Sequence, residues 1–123
     1  MNRVLIVFLS GGTGCVARYL VGVAVGRRAF PYATLVVNLV GSFLIALILE
    51  LALLRKDLPT NLQLALTTGF MGGFTTYSSF NFETTKLVLD GHTARGVVNI
   101  AVTLVGAIAA GLFGLWVARR IAA

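Results

Sequence analysis

Four long apolar runs, separated by short polar connections, dominate this chain. They cover about residues 4–25, 33–54, 62–89 and 97–117. A helix needs about 20 mostly apolar residues to cross the hydrocarbon core of a bilayer, and each run reaches that length. Only 11% of the residues are charged, against about 25% in soluble domains. We therefore predict one all-α transmembrane domain over residues 1–123, with four helices crossing the cell (inner/plasma) membrane.

Cationic residues lie at the ends of these runs, where membrane helices carry interfacial anchors. The net charge is +6, but the cations form no stripe on one face, so we expect no nucleic acid partner. Five of them fall on the side of the termini and four on the other side, which is almost no orientation bias. The pattern favours insertion in both orientations and an antiparallel homodimer. The five are Arg3, Arg55, Lys56, Arg119 and Arg120, and the four are Arg27, Arg28, Lys86 and Arg95.

No combination of residues indicates an enzyme. The single cysteine, Cys15, lies in an apolar run and is expected to be a packing residue. His92 has no second histidine or nearby cysteine with which to hold a metal. The stretch at residues 11–14 is glycine-rich but lacks the Lys-Ser/Thr of a phosphate-binding loop.

The third run is polar and glycine-rich at its centre. Gly69, Gly72 and Gly73 each weaken a helix by up to about 1 kcal/mol, and neighbouring hydroxyls offer the backbone other hydrogen bonds. We therefore predict a helix break in the stretch Gly72-Gly73-Phe74-Thr75-Thr76, with the helix resuming near Tyr77. Backbone carbonyls freed inside a membrane protein can coordinate a cation, and freed amides can face an anion.

Beyond this break, Tyr77 and Phe80 are three residues apart and share a helix face. Aromatic rings have positive edges, and Ser78 and Ser79 add hydroxyl donors. Such a lining suits a small anion, which is bound weakly enough to leave again. The alternative is that both rings pack in the core or face lipid.

Three further polar residues lie inside apolar runs. Asn38 can both donate and accept hydrogen bonds. Arg18 is costly in lipid and is expected to face protein or a vestibule, although it could snorkel to the interface. For Glu83 we favour pairing with a cation such as Lys86, or a vestibule position, over a proton relay.

At these residues the sequence resembles the Fluc (CrcB) family of fluoride channels over essentially its whole length. Three stretches carry the resemblance: Gly11-Gly12-x-Gly14-x-x-x-Arg18, Thr34-Leu35-x-Val37-Asn38-Leu39-x-Gly41, and Gly69-Phe70-x-Gly72-Gly73-Phe74-Thr75-Thr76-Tyr77-Ser78-Ser79-Phe80-x-x-Glu83.

The resemblance implies a dual-topology antiparallel homodimer with two pores and a structural Na⁺ held by the backbone carbonyls of Gly72 and Thr75. It implies a fluoride pathway along six residues, namely Asn38, Tyr77, Ser78, Ser79, Phe80 and Thr103. Two positions depart from the family pattern. Tyr77 stands where Phe is usual, and Ala107 stands where some members have a second hydroxyl.

Passive export of F⁻ from the cytoplasm, relieving fluoride toxicity, is the function that these features favour. The first alternative is a small proton-coupled multidrug or cation exporter, which needs an acidic residue deep in its first helix. The first run here contains Arg18 and no acid. A second alternative is a membrane subunit that transports nothing. The sequence leaves open whether the chain pairs with itself or with a paralogue.

Overall fold

The computed structural model describes residues 2–123 and contains helices but no strand in that range. Its helices are α1 (Arg3–Val25), α2 (Tyr32–Arg55), α3 (Thr60–Leu64), α4 (Gly72–Phe74), α5 (Tyr77–Leu89) and α6 (Thr93–Ala122). A π-helical segment, Ala65–Met71, joins α3 to α4. Three of these helices, α1, α2 and α6, are long and apolar enough to cross a membrane. The helix formed by the fourth apolar run, α6, extends beyond the predicted 97–117 at both ends.

Short connections between the long helices follow local backbone chemistry. The Asn2 side chain accepts the N–H of Val4 at 2.8 Å and begins α1. The chain leaves α1 at Gly26 with φ 72° and leaves α5 near Gly91 with φ 86°. These are left-handed conformations that glycine adopts without steric cost. These turns bring consecutive helices into contact, α1 with α2 and α5 with α6.

The third apolar run is broken within the predicted stretch 72–76, at its two threonines and not at its glycines. Gly69 lies in the π-helical segment, and Gly72 and Gly73 begin α4. The backbone becomes extended only at Thr75 (φ −83°, ψ 159°) and Thr76 (φ −153°, ψ 121°). Gly73 stays helical because its packing against α1 overrides its low helix propensity.

Close contact between α1 and the third run explains that packing. A Cβ at Gly14 would overlap the carbonyl oxygen of Phe70, and a Cβ at Gly73 would overlap that of Gly11. Glycine at these positions allows two backbones to touch, which is how membrane helices gain van der Waals contact. Gly69 and Gly73 of the third run therefore serve close packing against α1.

The rest of the molecule is built on the pairing of α2 with α6 and of α5 with α6. Large apolar side chains cover the outside of the helices, among them Val4, Leu53 and Val105, each at least 69% exposed. An apolar exterior of this kind is suited to lipid or to another apolar protein surface. The all-helical membrane fold predicted from the sequence is therefore confirmed in its class.

Candidate functional site

The backbone break at Thr75 and Thr76 is held by a side chain from another helix. Asn38 of α2 accepts the N–H of Thr76 at 2.8 Å and donates its amide N–H to the Thr76 carbonyl at 2.9 Å. Thr76 in turn caps α5, because its hydroxyl oxygen accepts the N–H of Ser79 at 3.1 Å. Asn38 thus replaces the helical hydrogen bonds that Thr76 lacks, and the break is a fixed element of the structure.

Beside this break lies an open cavity of about 360 Å³. Four of the six predicted pathway residues line it, namely Asn38, Tyr77, Phe80 and Thr103. The rings of Tyr77 and Phe80 are tilted by 58°, with their centroids 5.9 Å apart. Phe80 is only 8% exposed, whereas Tyr77 is 77% exposed, so Phe80 lies at the inner end of the pair.

Ser78 and Ser79, which belong to the predicted pathway, do not line this cavity. Ser79 lines a separate, smaller cavity of about 160 Å³ together with Arg18, Thr34 and Glu83. Ser78 is exposed, and its hydroxyl lies 3.3 Å from that of Thr76. Although adjacent in sequence, the serines follow the helical rotation of α5 away from the Tyr77 and Phe80 face.

Arg18 faces protein, as one of the two interpretations expected. Its Nε donates to the carbonyl of Gly73 at 3.1 Å. That carbonyl lies just before the break, so the guanidinium compensates a backbone acceptor at the end of α4. Snorkelling of this side chain to the interface is therefore not its conformation in the structure.

The predicted pairing of Glu83 with Lys86 is wrong. Lys86 instead forms an ion pair with Asp90 at 2.8 Å on the exposed end of α5. Glu83 accepts the hydroxyl proton of Thr34 at 2.8 Å, and its other carboxylate oxygen is buried without a hydrogen-bond partner among residues 2–123. Glu83 and Arg18 line the same small cavity.

Behind Phe80 lies a buried hydrogen-bond network between α5 and α6. Asn99 donates to the hydroxyl oxygen of Thr84 at 2.8 Å, and Thr84 donates to the carbonyl of Phe80 at 2.7 Å. Thr103 donates to the Asn99 side-chain oxygen at 3.4 Å. We did not assign a role to Thr34, Thr84 or Asn99 from the sequence. For Asn99, the available signal was a polar amide inside an apolar run.

The predicted cation ligands are backbone carbonyls, and the break changes the bonding of one of them. In a continuous α-helix the carbonyl of Gly72 would accept the N–H of Thr76. That N–H is donated to Asn38 instead. Thr75 is extended, so its carbonyl also leaves the helical direction. Among residues 2–123 no three His, Cys, Asp or Glu side chains gather as a metal site.

Comparison with known proteins gives a consistent result. Residues 5–115 match the family model described as CrcB-like protein, Camphor Resistance (CrcB). The fluoride-specific ion channel FluC of Sorangium cellulosum is 47% identical to this chain over 126 residues, covering 100% of the chain and 99% of the relative. The proteins of the same name from Chlorobaculum tepidum and Geobacter sulfurreducens are 46% and 43% identical, each over at least 96% of both chains.

Proposed function

The chain belongs to the CrcB family, and we propose that it is a fluoride channel that lets F⁻ leave the cytoplasm passively and so relieves fluoride toxicity. It is an ion channel of this family and not an enzyme. The observation that carries the proposal is the cavity beside the helix break, where Asn38, Tyr77, Phe80 and Thr103 meet. The family match also favours this function over the multidrug exporter.

The chemistry of the cavity suits a small, strongly hydrated anion. Fluoride must exchange water for other hydrogen-bond donors, and the positive edges of Tyr77 and Phe80 can face it without a fixed cation. The tilt of 58° between the two rings keeps them from stacking face to face. Because no full charge binds the ion here, it can leave as readily as it enters.

Passive export requires a gradient, and weak-acid chemistry supplies one. HF crosses a bilayer as a neutral molecule and ionises in the less acidic cytoplasm, where F⁻ accumulates. Arg18, in the smaller cavity, would attract the anion toward the entrance, since cationic residues raise the local concentration of anions. Ser79 and Glu83 line the same entrance, and Ser78 lies on the exposed start of α5.

We place the complete pathway in an antiparallel homodimer. The cavity is open at its side, and Tyr77 is 77% exposed, so a second copy would complete the wall of the path. Near-balanced cations permit both orientations of the chain in the membrane. In this arrangement residues 60–89 form the fourth crossing, with their break buried between subunits as irregular backbone in a membrane must be. Two copies would give two pores.

A structural Na⁺ fits the donors at the break. The carbonyls of Gly72 and Thr75 would hold it, because Gly72 has lost its helical donor to Asn38 and Gly72 is exposed on the surface of this chain. Two copies would contribute four carbonyl oxygens. When bound, the cation would supply positive charge that joins the two breaks.

A fluoride electrode tests the passive, self-sufficient function. The purified chain is reconstituted into liposomes loaded with potassium fluoride, and efflux is started with the potassium carrier valinomycin. We expect rapid F⁻ efflux that follows the membrane potential and needs no pH gradient. Efflux that requires a pH gradient, or export of cationic drugs, would support the exporter instead. Replacing Na⁺ by N-methyl-D-glucamine during purification should lower activity and dimer stability if the cation site exists.

A further inference from the structure

Asn99 is the most deeply buried polar side chain among residues 2–123, with 1% of its surface exposed. It does not line the cavity, but it contacts Thr103, which does. On the basis of the fluoride channel proposed above, we propose that Asn99 is a positioning residue. Its side-chain oxygen accepts a hydrogen bond from the Thr103 hydroxyl when the cavity holds no anion. When fluoride arrives, that hydroxyl leaves Asn99 and donates to the ion instead.

The orientation of the Asn99 amide follows from the hydrogen bonds around it. A threonine hydroxyl has one proton to donate. Thr84 donates its hydroxyl proton to the carbonyl of Phe80 at 2.7 Å, so Thr84 can only accept a hydrogen bond from Asn99. The Asn99 nitrogen must therefore face Thr84, at 2.8 Å, and its oxygen must face Thr103. Thr103 is consequently the donor in its bond to Asn99.

The Thr103 hydroxyl is bonded differently from five other hydroxyls of this chain. Those five donate to the backbone carbonyl four residues earlier, at distances of 2.6 to 2.8 Å; they are Ser10, Thr13, Thr67, Thr75 and Thr84. Thr103 instead donates to the Asn99 side chain at 3.4 Å. Hydroxyl bonds are usually about 2.5–3.0 Å long, so this proton is held weakly.

A weakly held proton at the cavity wall discriminates between anions. Fluoride is the strongest hydrogen-bond acceptor among the halides and can draw the hydroxyl away from the amide oxygen. Chloride is a weaker acceptor, so its bond to the Thr103 hydroxyl compensates less for the lost bond to Asn99. When the ion leaves, the hydroxyl returns to Asn99, so the buried donor always has a partner. Asn99 thus makes Thr103 available to fluoride without holding the ion.

A double-mutant cycle on anion flux tests this role. We would measure F⁻ and Cl⁻ efflux for the full chain carrying Asn99→Leu, Thr103→Val, or both. In Asn99→Leu the Thr103 hydroxyl should turn to the backbone carbonyl of residue 99, four residues earlier, as the other five hydroxyls do. We expect F⁻ flux to fall about tenfold, the effect of losing one hydrogen bond to an ion. In the Thr103→Val background the same change should have no further effect.

Thr84→Val provides an independent arm if Asn99→Leu does not fold. Without the Thr84 hydroxyl the amide of Asn99 can turn over and donate to Thr103, which leaves the Thr103 proton facing the cavity. We expect F⁻ flux at or above that of the unmodified chain, lost again when Thr103→Val is added.

Two results would overturn the inference. One is an Asn99→Leu effect of equal size in both backgrounds, and the other is a Thr84→Val loss that persists in Thr103→Val. The unmodified chain is the reference in every arm. If it conducts no F⁻, the proposed function fails, whereas normal flux with uncoupled variants rejects only the role of Asn99.

Discussion

The side chain of Asn38 binds both backbone groups of Thr76, accepting its N–H at 2.8 Å and donating to its carbonyl at 2.9 Å. The two residues lie on different helices and are 38 positions apart in sequence. This pairing supplies the hydrogen bonds that the backbone loses where the third apolar run is broken. Buried backbone groups without partners are costly, so the break depends on Asn38.

Replacing Asn38 with Leu should therefore destabilise the protein. Two part-buried backbone groups would lose their partners, and we expect a loss of about 2–4 kcal/mol in the free energy of unfolding. Thermal unfolding in detergent, followed by circular dichroism, measures this change. The matched control is Asn81→Leu, since Asn81 is exposed on α5 and should tolerate the same substitution. Equal effects of the two variants would contradict the role of Asn38.

Gly41 sets the distance between α2 and the break. A Cβ at this position would overlap the Thr75 methyl group, so Gly41→Ala must displace the Thr75 side chain or the extended segment that carries it. We expect a marked loss of F⁻ flux and a loss of stability of about 1–3 kcal/mol. A Cβ at Gly12 would meet nothing within 4 Å, which makes Gly12→Ala the control. Normal flux in Gly41→Ala would show that the break tolerates displacement.

Phe80 and Tyr77 should respond differently to substitution. Phe80→Ile removes the ring edge at the inner end of the cavity, and we expect F⁻ flux to fall by at least about tenfold. Tyr77→Phe keeps the ring and removes only an exposed hydroxyl, so flux should stay within about threefold of the unmodified chain. Phe82→Ile, on an exposed position of the same helix, controls for loss of an aromatic side chain. Unchanged flux in Phe80→Ile would reject the ring-edge pathway.

Thr34 is the hydrogen-bond donor that supports Glu83, at 2.8 Å. Thr34→Val leaves both oxygens of this part-buried carboxylate without a donor among residues 2–123. We expect a destabilisation of about 1–3 kcal/mol, measured by thermal unfolding. Thr13→Val serves as control, because Thr13 bonds only to its own helix. The cost should shrink in a Glu83→Gln background, and a cost independent of Glu83 would assign Thr34 a different role.

The helical class and the long segments could be predicted from the sequence because apolar length is a local property. The break could be placed within the stretch 72–76, but its exact residues could not be predicted. Gly73 weakens a helix in isolation, but close packing against α1 keeps it helical. The partner of Thr76 is 38 residues away, and no spacing rule connects the two. Tertiary contacts, which single-residue propensities do not contain, decide where the helix ends.

In the candidate site, too, some features follow from the local sequence and others depend on tertiary contacts. Tyr77 and Phe80 share a face because helical periodicity requires it, and the structure places both on one cavity. Lys86, by contrast, can reach either Glu83 or Asp90 along the helix. It pairs with Asp90 because both side chains are exposed at the end of α5, whereas Glu83 turns inward to Thr34. The difference in burial between Glu83 and Asp90 decides which of them pairs with Lys86, and the sequence pattern does not show that difference.

The central claim is selectivity for fluoride, and a matched comparison of F⁻ and Cl⁻ efflux tests it most directly. Liposomes that contain the purified chain are loaded with both potassium salts at equal concentration, and ion-selective electrodes record both anions after valinomycin is added. We predict rapid F⁻ efflux and Cl⁻ efflux no greater than that of protein-free liposomes. Equal efflux of the two anions, or efflux of neither, would contradict the account.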